Sequence, residues 1–152
     1  MLAAPGVRAP SFTLNRADSG RPVSDPWDAG AVVLAFFKVT CPTCQLAAPK
    51  VQALSDAGVR VTAIGEDPPP ALAKFAQRFG QRVPTLTEPA PYPVSRAYGI
   101  SAVPTLVLVG EDGVVQDAVP GWDRDGWNRL AAAAGAPPVS VEGDGLPSFR
   151  PG

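Results

Sequence analysis

The stretch Ala31-Val32-Val33-Leu34-Ala35-Phe36-Phe37 carries no polar side chain, and shortly after it the chain reads Cys41-Pro42-Thr43-Cys44. A strand-length apolar run without alternation is buried on both faces, which puts it at the centre of a sheet covered on two sides. The residues that follow, Pro42 to about Asp56, read as a helix with Gly58 at its C-terminal cap. The only two cysteines of the chain therefore stand where a central strand hands over to a helix. That junction points to the α/β class and gives the cysteines the free N–H groups of a helix start.

The rest of the pattern agrees. Ser11-Phe12-Thr13-Leu14 alternates as a half-buried strand, Asp18-Ser19-Gly20 is a turn, and Arg21-Pro22-Val23 returns as a second short strand. Trp27 is expected to plug the sheet edge. Val59 to Ile64 is a β-branched strand, and Pro68-Pro69-Pro70 opens a helix over Ala71 to Phe79 that Gly80 closes. Leu72, Phe75, Ala76 and Phe79 share one face of it. Val83 to Leu86 is extended, and Pro93 to Tyr98 is a helical turn or two. Thr105 to Val109 and Val114 to Ala118 form an antiparallel pair around Glu111-Asp112-Gly113. Asp123 to Ala134 is the last helix, capped by Gly135, with Trp127, Leu130 and Ala131 inward. One domain is expected over 1–135, with a core at about 30–134 and an N-terminal β-extension at 1–29. The Pro/Gly-rich tail 136–152 has few apolar residues and is expected to be an extended arm or disordered.

With Cys41 as N-cap, Pro42 falls at N1, where its missing N–H does no harm. Cys44 falls at N3, and the Cys41 sulfur can accept the N–H groups of the first turn. Such positions favour thiolate over thiol. Residues three apart on a helix lie about 5–6 Å apart, close to what a disulfide needs. The pattern predicts redox chemistry in which Cys41, at the exposed cap, attacks and Cys44, one turn inward, resolves the mixed disulfide. An inert disulfide is the plainer reading, but closing so short a loop stabilises little. Pro49 is predicted to bend the helix by removing the bond to the Gln45 carbonyl.

Charge and composition exclude several functions. The net charge of −1 gives no reason to expect nucleic acid or an anionic membrane as partner. Histidine is absent, so no imidazole can serve as base or ligand. Two cysteines supply half of a structural zinc site, and no metal is expected. No apolar run reaches the ~18–20 residues that span a bilayer. The first residues lack the basic and apolar regions of a signal peptide, and a cytoplasmic protein is expected.

Phe36-Phe37-x-x-x-Cys41-x-x-Cys44-x-x-x-x-Pro49, Tyr98-Gly99-Ile100, Val103-Pro104-Thr105 and the Asp112-Gly113 hairpin together resemble the thioredoxin superfamily over roughly residues 5–134. The opening Gly6-Val7-Arg8-Ala9-Pro10-Ser11-Phe12-Thr13-Leu14 resembles its redoxin branch, which includes TlpA-like reductases and peroxiredoxins of the AhpC-TSA type. The resemblance implies a thioredoxin fold: a central mixed β-sheet flanked by helices on both faces. It implies a thiol-disulfide oxidoreductase acting on protein thiols and disulfides, recharged by an upstream reductase, with a role in redox homeostasis and antioxidant activity. No cofactor beyond the cysteine pair is implied, and a monomer is expected. The resemblance also implies that Val103-Pro104 is cis and that this proline faces the dithiol, leaving a backbone edge free for a partner's extended chain. Pro42, Thr43, Val103, Pro104 and Thr105 are the expected docking residues. Pro84 lies in an identical tripeptide, but Tyr98-Gly99 before Pro104 and a full strand with hairpin after it favour Pro104.

The chain departs from the thioredoxin pattern at Thr40, where Trp is usual, and at Ala35, where thioredoxins bury an acid that aids the second thiol. Lys38 and Glu66 are the candidates for electrostatic support, Glu66 because it ends a parallel strand. The alternative activity is peroxide reduction with Cys41 as peroxidatic cysteine. Against it, the Pro and Thr that peroxiredoxins place seven and three residues before that cysteine are Leu34 and Lys38 here. A copper-handling module on the same fold would need a histidine.

Overall fold

The computed structural model describes residues 1–152. Its strands and helices are β1 (Thr13–Arg16), β2 (Pro22–Ser24), β3 (Val32–Phe37), α1 (Pro42–Asp56), β4 (Val61–Gly65), α2 (Pro69–Phe79), β5 (Thr85–Thr87), α3 (Pro93–Ala97), β6 (Thr105–Val109), β7 (Val115–Pro120), β8 (Trp122–Asp123), α4 (Arg124–Ala133) and β9 (Phe149–Arg150). Seven strands form one mixed sheet in the order β2-β1-β5-β4-β3-β6-β7. β3 pairs parallel with β4 and antiparallel with β6, so the unbroken apolar run lies inside the sheet and all six of its residues are buried.

Alternation along β3 divides the core. Val33, Ala35 and Phe37 face the side packed by α1, α2 and α4, where Ala47, Leu54, Leu72, Phe75, Trp127 and Leu130 close the layer. Val32, Leu34 and Phe36 face the opposite side, covered by Phe12, Trp27, Val94 of α3 and Tyr98. A period of two along one strand thus feeds two separate apolar layers. Trp27 is buried against Phe12 edge-on, with ring centroids 5.9 Å apart, in the packing role expected of it. α2 begins on the proline run and ends at Gly80 with φ 74°, a left-handed conformation that suits glycine.

The N-terminal segment also joins the sheet. The Gly6 amide donates to the Val115 carbonyl, the Val115 amide to the Val7 carbonyl and the Ala9 amide to the Gly113 carbonyl, each at 2.8 Å.

The tail corrects one expectation. Residues 136–152 are an arm, but an ordered and docked one. Trp122 Nε1 donates to the Pro147 carbonyl at 2.7 Å, and β9 pairs antiparallel with β8. Asp144 lies 3.0 Å from Lys50 Nζ and 3.3 Å from Arg124, and it accepts the hydroxyl of Ser140 at 2.6 Å. The Ser140 hydroxyl first, then the Leu146 amide and Lys50, hold the Asp144 carboxyl well below the usual carboxylate range. Few apolar residues are needed: Ala136, Val139 and Leu146 pack on the core, and polar contacts to distant residues do the rest.

Candidate active site

Cys41 is the N-cap of α1, with φ −79° and ψ 115°, and Pro42 takes the first helical position. The Cys44 amide donates to Cys41 Sγ at 3.1 Å. The loop from β3 into this cap is held at two points. Asp67 accepts the Val39 amide at 2.9 Å, and Gln45 Nε2 donates to the Val39 carbonyl at 2.9 Å. Both cysteines are free; Cys41 is half-buried and Cys44 only 2 % exposed. Burial first, then the hydrogen bond with Cys41, push the Cys44 thiol far above its ordinary range. The two sulfurs therefore occupy unlike environments one helical turn apart.

The second wall is the start of β6. Phe36 of β3 pairs with Thr105, so the chain leaving β3 and the chain arriving at β6 meet at the same end of the sheet. The Val103-Pro104 peptide is cis, and Cys41 Sγ donates to the Val103 carbonyl at 3.2 Å. The Thr105 hydroxyl donates to the Ala102 carbonyl at 2.7 Å and so closes the turn that presents Val103. Val83-Pro84, in the identical tripeptide, is not cis and leads into β5. Pro42 is exposed, Val103 half-buried, and Thr43, Pro104 and Thr105 buried.

Lys38 and Glu66 come together beside the pair. Lys38 is exposed and Glu66 half-buried; burial pushes the Glu66 carboxyl up, and the Lys38 charge opposes that. The Glu66 charge also acts on Cys44, as the smallest of the influences that push its thiol up. Sequence reasoning also passed over Asp67, Gln45 and the tail residues that approach Thr43. Asp67 and Gln45 lie near the motif, but nothing local marks either as a partner of Val39.

A groove of about 480 Å³ bordered by Leu72, Ala76, Val83 and Thr85 contains neither cysteine. The half-buried Cys41 lies outside it, beside Val103 and buried Thr43.

The AhpC/TSA family model matches residues 5–118. The thiol-disulfide oxidoreductase ResA of Halalkalibacterium halodurans is 27% identical over 119 residues, which cover 75% of this chain and 67% of that protein. Among solved structures, the thioredoxin domain of a thiol-disulfide oxidoreductase from Bacteroides vulgatus superimposes with a TM-score of 0.72 at 19% identity, covering 86% of this chain and 98% of its own. The dsbF protein of MTB gives 0.70 at 25% identity, covering 87% and 99%.

Proposed function

The chain belongs to the AhpC/TSA family, and on that premise we propose how it works as a thiol-disulfide oxidoreductase that exchanges disulfides with protein partners. The observation that carries the reading is the unequal pair: a half-exposed Cys41 at the helix cap and a buried Cys44 one turn in. Cys41 gives up its thiol proton and attacks a partner disulfide. A bond forms between Cys41 and one partner sulfur as the partner's own S–S bond breaks, and the released sulfur takes up a proton. Cys44 then gives up its proton and attacks Cys41 Sγ. The second partner thiol leaves, and the Cys41–Cys44 disulfide remains. Two electrons and two protons pass to the partner; the reverse sequence installs a disulfide. The redox equivalents reside on the two sulfurs, so the reaction uses no other cofactor, and a separate reductase would regenerate the dithiol.

Pro42, Thr43, Val103, Pro104 and Thr105 border the edge on which we place the partner's extended chain. The main-chain groups of Val103 would pair with it as an added strand pairs with a sheet edge. Peroxide reduction is not favoured: Leu34 is fully buried inside β3, and neither it nor exposed Lys38 offers the proline–threonine arrangement of that chemistry.

Reduction of insulin disulfides tests the reading. The unmodified chain should turn over and Cys41→Ser should not; turnover by Cys41→Ser would reverse the assigned roles. A potential near thioredoxin's, about −270 mV, would mark a reductase, and one well above it an oxidase.

A further inference from the structure

Residues 148–152 lie across the edge assigned above to a partner. The Pro151 carbonyl accepts the Thr43 hydroxyl at 2.8 Å, and Thr43 stands between the two cysteines. Gly152 approaches the Val103 main chain so closely that a Cβ there would overlap the Val103 carbonyl. That carbonyl is the one that accepts Cys41 Sγ. On the far side, a Cβ at Gly121 would stand 3.3 Å from the Arg150 carbonyl oxygen and 3.5 Å from Pro151 Cα, and the Gly121 amide binds the Pro104 carbonyl at 2.7 Å. Under this cover Thr43 is only 3% exposed.

The anchoring is graded along the segment. Its base is held by the Asp144–Lys50–Arg124 cluster, by Trp122 on Pro147, and by the Arg124 amide on the Ser148 carbonyl at 2.9 Å. Lys50 belongs to α1, the helix that carries the dithiol. The tip is held differently: Phe149, Arg150, Pro151 and Gly152 are all exposed, and their contacts are main-chain ones, the pairing of β9 with β8 and the Thr43 hydroxyl on the Pro151 carbonyl, as an extended peptide would make.

We propose that residues 148–152 are an intramolecular stand-in for the partner chain, which a protein disulfide must displace before it reaches Cys41. The proposal rests on the disulfide-exchange reading above. It makes the segment a flap whose base is fixed by side chains and whose outer residues are held by main-chain contacts. It also describes the partner: an extended stretch with a glycine or other small residue opposite Val103. Cys41 stays half exposed beneath the flap, so a small disulfide reaches it without displacing anything.

The test compares the full chain, the full-length Gly152→Val variant and a chain lacking residues 148–152. Gly152→Val puts a side chain against the Val103 main chain and leaves the preceding residues intact, and an unchanged melting temperature keeps the comparison valid should the shortened chain fold poorly. Insulin reduction should accelerate about fivefold in both variants, the scale of one released hydrogen bond. Reaction with oxidised glutathione should change less than about twofold, because a small disulfide releases no such contact. A peptide of sequence Ser-Phe-Arg-Pro-Gly should slow the shortened chain towards the rate of the full one. Unchanged or slower insulin reduction in Gly152→Val, with the glutathione reaction intact, overturns the proposal and leaves the segment a brace. Failure of the unmodified chain to react with either disulfide overturns the exchange reading itself and the flap with it.

Discussion

The Sγ of Cys41 donates to the carbonyl oxygen of Val103 at 3.2 Å, although 62 residues separate them. This contact ties the helix cap that carries the proposed attacking sulfur to the chain entering β6. Any chain that docks along Val103 arrives beside the sulfur it must react with.

In the proposed exchange, Cys44 should set the pH dependence of the second step. Its thiol is pushed up by burial and by Cys41, so at neutral pH the resolving sulfur is protonated. Its thiolate fraction then rises about tenfold per pH unit. Stopped-flow decay of the mixed disulfide should quicken accordingly between neutral pH and about pH 9, and Cys44→Ser should accumulate the adduct at every pH. A flat profile would show that another step limits release. The same shift predicts a stability trend for the dithiol form. A thiol raised above its unfolded value of ~8.5 contributes stability in full below that pH and loses it as the pH climbs beyond.

Glu66→Gln removes a negative charge that helps to keep Cys44 protonated. Resolution of the mixed disulfide at fixed pH should become faster, by a few-fold, while the initial attack by Cys41 changes less. Slower resolution in Glu66→Gln would mean that Glu66 accepts the Cys44 proton.

Asp67 positions the loop ahead of Cys41 through the Val39 amide. Asp67→Ala should cost about 1–3 kcal/mol, read as a lower urea midpoint, and should slow insulin reduction. Asp67→Asn keeps an acceptor oxygen and should recover most of both. Equal losses in the two variants would refute the hydrogen-bond account.

Trp127 is fully buried, packs edge-on to Trp122 at 4.9 Å between centroids, and donates Nε1 to the Gly121 carbonyl at 3.0 Å. Trp127→Ala should destabilise the chain by about 3–5 kcal/mol in chemical denaturation. A loss below about 1 kcal/mol would mean that the α4 side collapses to fill the space.

The site was legible where its determinants are local. Cys41, Pro42 and Cys44 need only each other and a helix start, and the cap geometry follows from their order. The burial of β3 on both faces follows from an unbroken apolar run. Strand limits moved by a residue or two, as with β1, which begins at Thr13 rather than Ser11, because pairing with β2 and β5 decides where a ladder starts. Val83-Pro84-Thr85 and Val103-Pro104-Thr105 are locally identical, and only the position of β6 next to β3 brings the second to Cys41.

From its order of residues alone, this chain specifies a central strand, a capped helix and a dithiol at their junction, because each is dictated by periodicity or by contacts within one turn. The approach of Glu66 to the pair, the clamp of Asp67 on Val39 and the docking of Pro151 on Thr43 belong to the tertiary structure. Hydrogen bonds and charges act over a few ångströms of space, and residues 28 or 108 positions apart become neighbours only when the sheet and its helices have packed.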